Sequence, residues 1–170
     1  MRPQPEMAAA WSTSPDGLAW RFTLRDGLRF HNGQAVTTAD VIASLNGWMT
    51  FDIGGGKLAA AMAAMQAIDA KTIEIRLRRP FPAMLSVLAT APARFPAIMR
   101  AEDIPSERGP VTTTIGSGPS RYVAAERISG ARIVYERNPD YVPRTEWRAD
   151  ASSRSIASSG TSFPIPPAWS

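Results

Sequence analysis

The chain has 170 residues, of which 44% are hydrophobic and 20% charged, and it contains no cysteine. That is the composition of a packed globular protein; it excludes disulfide and thiolate chemistry and leaves the compartment open. The net charge is +4 and the isoelectric point about 10.1, but the Lys and Arg residues are scattered without interleaved aromatics, which argues against a nucleic-acid surface.

No apolar run approaches a membrane span, and the opening "MRPQPEMAAAWSTSPDG" lacks the apolar centre of a secretory signal. The expectation for the chain as written is therefore a protein with no export address, which places it in the cytoplasm. A chain of this length is either one domain or a piece of a larger one.

Along the chain, Ala19 to Arg25 alternates, with Trp20, Phe22 and Leu24 on one face and Arg21, Thr23 and Arg25 on the other, the pattern of a half-buried strand. Asp26-Gly27 and Asn32-Gly33 are turn dipeptides that bracket Leu28-Arg29-Phe30. Thr37 and Asp40 have capping-box spacing, so a helix is predicted from Thr38, burying Val41, Ile42, Leu45, Trp48 and Met49. Gly54 to Gly56 reads as a loop, and the spacing of Leu58, Met62 and Met65 predicts an alanine-rich helix after it. The glycines do not form a phosphate cradle, because neither a following Lys-Ser/Thr nor a GxGxxG is present.

"KTIEIRLRRPF" alternates Ile73, Ile75 and Leu77 against Glu74, Arg76 and Arg78, a second strand that stops at Pro80. A short helix is predicted from Pro82, a loop over 91–94, an extended piece over 96–99 and a polar surface loop over 102–114. Gly116, Gly118 and Pro119 lead into a predicted strand over 121–125. Its antiparallel partner, 131–138, follows a Ser129-Gly130 reversal and ends in an Asn138-Pro139 turn. From Arg144 the chain turns serine- and proline-rich without periodicity, and residues 144–170 read as a disordered tail.

Catalytic constellations are poorly served. His31 is the single histidine, and a triad would have to join it to Asp40 and Ser44, yet no serine sits in a nucleophile elbow. The simpler reading is a turn histidine bonding backbone. Asp26, Asp40 and Asp52 lack calcium-loop spacing, so neither a metal site nor a cofactor is expected. Paired carboxylates of the glycosidase kind are set by spatial position, and the sequence does not favour them. Methionines and aromatics at helical spacing read as core.

Several motifs in order resemble one family, the family 5 extracellular solute-binding proteins of ABC transporters, the dipeptide, oligopeptide and nickel class. Its "DG" with an aromatic strand, "LR-x-G-x-x-FHDG" and "T-A-x-DV-x-x-S" patterns are matched by Asp16-Gly17, Trp20 to Arg25, Gly27, Phe30-His31-Asn32-Gly33 and Thr38-Ala39-Asp40-Val41 with Ser44. Asp69 to Leu77, Pro80-Phe81-Pro82, Ile115 to Pro119 and Glu136 to Tyr141 resemble the family's following strand, its next turn, its "GTGP" turn and its "RNPDYW" turn.

Two positions depart from the pattern. Asn32 replaces the usual Asp, and Ser120 stands where an aromatic is usual, a loss of about 1–3 kcal/mol of packing if that site is buried.

The resemblance implies a mixed α/β fold, an incomplete lobe I (residues 1–143) of a two-lobed periplasmic-binding-protein type II architecture. It implies no enzyme activity, a peptide or other small solute as ligand, an inner-membrane ABC permease as partner, and a periplasmic location for the full-length protein. Cleft residues implied on loops are Gly55, Gly56 and Lys57 within 54–57, and Thr90, Arg94 and Phe95 within 90–95. Arg94 would meet a ligand carboxylate or, equally, remain a solvated loop arginine.

With codons chosen freely, residues 146–170 read two bases later give a translation resembling the family's next segment, so the tail is expected to arise from a frameshift near 145–147. The alternatives are a small independent binding module, a non-functional gene remnant, and an enzyme using His31.

Overall fold

The computed structural model describes residues 6–89, 95–105 and 109–144. Its body is a four-stranded antiparallel sheet in the order β1-β2-β4-β3, formed by β1 (Ala8–Thr13), β2 (Ala19–Leu24), β3 (Met62–Ala67) and β4 (Thr72–Leu77). The strands expected over 19–25 and from Lys71 up to Pro80 form as β2 and β4 and pair with each other, with Trp20 opposite Ile75 and Phe22 opposite Ile73. Both lie inside the sheet, where alternation is strongest because one face must bury. The outer strand β1 was not foreseen. It pairs with β2 through a bulge at Ala9 and offers little beyond Trp11 to mark it.

Helix α1 (Thr38–Met49) starts at the predicted capping box: the Thr37 hydroxyl accepts from the Asp40 amide at 3.3 Å, and the Asp40 carboxylate accepts from the Thr37 amide at 2.9 Å. Val41, Leu45, Trp48 and Met49 are buried as expected, and α1 packs over β3 and β4.

The predicted loop-then-helix over 54–67 is corrected. Helix α2 (Ile53–Ala61) contains the three glycines, and Met62–Ala67 is strand β3, not helix. Asp52 caps α2 by accepting from the Gly55 amide at 2.8 Å. A Cβ on Gly55 would lie 3.0 Å from the Met49 Cα and 3.1 Å from the Trp48 ring, so glycine is what lets α2 seat against the end of α1. Past Ala61, pairing with β4 (Met65 opposite Ile75) outweighs the helix preference of alanine.

Helix α3 (Met84–Leu88) follows the turn at Pro82, with Met84 fully buried. One continuous cluster, including Phe30, Leu45, Trp48, Leu58, Ile73 and Ile75, forms the core between sheet and helices. Residues 96–99 form no strand, and the Ala97 amide turns back to the Phe95 carbonyl at 2.8 Å; after them comes a 3-10 turn, Ala101–Asp103.

The outer face of the sheet holds Glu74, which alternation places on the polar side yet is only 1% exposed. Two guanidinium groups cover it: Arg21 Nε and Arg76 Nε each donate to one carboxylate oxygen at 2.7 Å. These bonds, Arg76 first and then Arg21, hold its carboxyl below the usual range against the opposing effect of burial.

A second, two-stranded sheet joins β5 (Ser120–Tyr122) to β6 (Tyr135–Arg137). Both strands are shorter than predicted. The chain turns through a 3-10 helix at Ala124–Glu126, and an isolated bridge between Ile128 and Arg132 closes the reversal at Gly130, whose φ is +76°. The Asn138 turn forms as read, its side-chain oxygen accepting from the Asp140 amide at 3.2 Å. Ser120 is exposed, so the condition for a packing loss there is not met. The predicted loop over 91–94 and the tail from 145 lie outside the described residues.

Candidate functional site

An open groove of about 930 Å³ lies between the C-terminal half of α1 and residues 95–105 with 109–111. One wall carries Ala43, Ser44, Gly47, Trp48 and Phe51; the other carries Phe95, Ala97, Met99, Ile104 and Val111. None of its described lining residues is charged. Phe51 and Phe95 are mostly exposed, so the groove presents apolar surface directly to solvent, the condition under which a partner gains from covering it.

Polar pins fix the second wall to the helix. Ser44 Oγ donates to the Met99 carbonyl at 3.1 Å and accepts from the Met99 amide at 2.9 Å, and the Asp40 carboxylate accepts from the Ala101 amide at 2.8 Å. Next to them Arg100 pairs with Asp103 at 2.5 Å and Glu102 at 2.6 Å. Chiefly the bond to Asp103 raises its pKa and keeps it cationic.

These bonds also dispose of the hypothetical triad, because Asp40 and Ser44 are committed to holding the 99–101 backbone. His31 is bonded to backbone on both ring nitrogens, to Gly116 and Gly118, as the simpler reading of that residue expects. Among the described residues no cluster of three or more His, Asp or Glu is arranged to hold a metal.

The cleft candidates fall in different places. Phe95 lines the groove. Gly55, Gly56 and Lys57 belong to α2: Gly55 is buried against Trp48, Gly56 donates to the Asp52 carbonyl at 2.8 Å, and Lys57 is exposed. Trp48 thus lies between the two sets, contributing to the groove and packing near Gly55. Thr90 and Arg94 lie outside the described residues. The groove is not legible in the sequence, since α1 and its other wall, residues 95–105 and 109–111, meet only in space; exposed aromatics beside the helix end, Phe51 and Phe95, are the available signal.

A further link ties the chain's first described residues to its last. Arg25 donates from Nε to the Glu6 carbonyl at 3.0 Å and from Nη1 to the Val142 carbonyl at 2.6 Å, with its guanidinium 5.7 Å from the centre of the Tyr141 ring. The Tyr141 hydroxyl donates to the Glu6 carboxylate at 3.0 Å, and burial first, then that bond, raises its pKa.

Against known proteins, the model of the bacterial extracellular solute-binding proteins, family 5 (middle), matches residues 2–157. A probable peptide ABC transporter periplasmic-binding protein of Sinorhizobium fredii is 38% identical over 148 residues, covering 85% of this chain and 27% of that protein. The probable D,D-dipeptide-binding periplasmic protein DdpA of Escherichia coli is 29% identical over 139 residues, covering 80% of this chain and 27% of that protein.

Among solved structures, the binding protein AgaA from A. tumefaciens, in complex with agropinic acid, aligns with a TM-score of 0.68 at 27% identity, over 82% of this chain and 28% of that one. The chain therefore spans about a quarter of the length of the relatives it matches. Its mixed α/β architecture is that of part of a solute-binding protein. With the family model matching nearly the whole chain, the protein belongs to the bacterial extracellular solute-binding proteins, family 5.

Proposed function

We propose that this chain is part of lobe I, residues 1–143, of the solute-binding component of an ABC importer, and that its solute is a peptide. The observation that carries this reading is the 38% identity, over 85% of the chain, to a probable peptide-binding periplasmic relative. Its partner in a full-length protein is then an inner-membrane permease, its location the periplasm, and its role binding, with no catalytic step. Affinity in a two-lobed binder comes from closing both walls on the ligand, so one wall alone binds weakly. Phe95 is the cleft candidate that the groove supports; Gly55, Gly56, Lys57, Thr90 and Arg94 stand as further candidates.

Thermal unfolding of the purified chain, followed by circular dichroism with and without a mixed short-peptide library and, separately, agropinic acid, tests this. A cooperative transition raised by peptides supports a retained peptide site through binding linkage. A rise with agropinic acid alone moves the reading to a non-peptide solute. A broad melt unmoved by either overturns a binding role for this chain and leaves a remnant of a longer protein.

The tail reading, residues 144–170 out of frame, is tested on the coding DNA. Because the family match continues to residue 157, both frames need comparing across all of these codons. Codons incompatible with the family's next segment in the second frame end that idea.

A further inference from the structure

His31 is the only histidine of the chain, and the binding reading makes no use of it. Its ring meets one turn at both nitrogens. The Gly116 amide donates to Nδ1 at 3.2 Å, and Nε2 lies 3.0 Å from the Gly118 carbonyl. An amide N–H only donates and a carbonyl only accepts, so these partners select the neutral ring with its proton on Nε2. The His31 backbone amide adds a third link, donating to the Gly116 carbonyl at 2.8 Å.

The same turn holds the β5–β6 hairpin. The Asn138 side chain donates to the Gly118 carbonyl at 3.1 Å, and the Asn138 amide to the Pro119 carbonyl at 2.8 Å. His31 and Asn138 therefore both grip the 116–119 turn, and both reach the Gly118 carbonyl, one from the body and one from the hairpin.

We propose that His31 is an acid-sensitive latch that fastens the 116–119 turn, and through it the hairpin, to the sheet-and-helix body. Protonation puts an N–H on Nδ1, where the Gly116 amide already points its own. One of the two ring bonds becomes a donor–donor contact while the Nε2 bond persists. The latch therefore holds with the ring neutral and loosens when the ring takes up a proton.

The turn residues 115–119 carry no charge. On the neighbouring elements the charged and titratable groups include Arg29, which donates to the Gly33 carbonyl, Arg25 and Tyr141, which share a hollow with Ser117, Arg100 on Gln34 with its partners Glu102 and Asp103, and the Arg121–Asp140 pair beyond Asn138. Among the described residues no carboxylate hydrogen-bonds the ring to compensate for its protonation.

A single histidine makes the test direct, since the ¹⁵N-labelled full chain gives one set of imidazole signals. The expected result is the Nε2–H tautomer at about pH 8, and a loss of Gly116 amide protection of roughly tenfold relative to the α1 amides on going to about pH 5. In His31→Gln, which cannot titrate, that pH-linked step disappears. An Nδ1–H tautomer, Gly116 protection that tracks α1 across the range, or a step that persists in His31→Gln overturns the latch.

Discussion

The body and the hairpin spend their residues differently. Between the four-stranded sheet and its helices, apolar side chains such as Phe30, Trp48, Leu58, Ile73 and Ile75 pack into one buried cluster. In the β5–β6 hairpin, the one buried residue among those described over 119–142 is a polar one, Asn138, while Ile128, Ile133 and Tyr135 stand exposed. The body is held by burial, which is non-directional and tolerant of small shifts. Directional bonds hold the hairpin: His31 on Gly116 and Gly118, Asn138 on Gly118 and Pro119, and Arg25 on Val142. A region of the second kind gains little from its own surface and depends on a few geometrically exact contacts, so it opens at lower free energy than the rest.

The largest break in that contrast comes from matched truncations. Ile75 is 1% exposed at the centre of the core and Ile133 is 63% exposed on the hairpin. Ile75→Ala is expected to cost about 2–5 kcal/mol in urea unfolding, from lost transfer energy and the cavity left behind. Ile133→Ala is expected to stay within about 0.5 kcal/mol of the parent. Comparable losses from the two substitutions would mean that the hairpin has an apolar core of its own.

The same contrast explains what the sequence could reveal. The capping box at Thr37 and Asp40, the turns at Gly27 and Gly33, and strand β4 were legible because each is a local pattern with its own physical cause. Strand β1 was not, since Ala8–Thr13 shows only Trp11 and depends on β2 to complete it. Met62 and Met65 misled because their separation suits a helix face, and only pairing with β4 across a sheet edge makes 62–67 a strand. His31 was legible as a backbone-bonded turn residue, but its partners lie 85 and 87 positions away in sequence, beyond any local signal. The groove is spatial in the same sense: of the cleft candidates, Phe95 reaches it, whereas Gly55 serves helix packing.

Asn138→Ala sharpens the contrast from the hairpin side. That side chain accepts from Arg121 at 2.6 Å and from the Asp140 amide, and donates to the Gly118 carbonyl. Removing it takes one partner each from the half-buried Arg121 guanidinium and Gly118 carbonyl and the exposed Asp140 amide, which keep water or other partners. The expected cost is therefore that of the lost bonds, about 0.5–1.5 kcal/mol. Amide exchange should register that cost over 116–142 while α1 and β4 keep their protection. Equal loss of protection in both regions would show that they unfold as one unit and that the polar links carry the stability of the body as well.

Glu74 offers the smallest effect at neutral pH and the finest test, because it is a hairpin-like device inside the body, a buried carboxylate held by two directional bonds. Arg76 and Arg21 depress its pKa in the folded state. Its contribution is therefore present above the ordinary carboxylate range and is lost as pH falls through the lowered folded value. Both arginines are more than half exposed, so water and salt screen the attraction and the effect at pH 7 stays modest. Glu74→Gln should lower the melting temperature slightly at neutral pH, flatten its decline on acidification, and bring variant and parent together at low pH. Added salt should narrow the neutral-pH difference. Parallel curves that never converge would mean that Glu74 matters for the space it fills between the two arginines, in the manner of the core, and not for its charge.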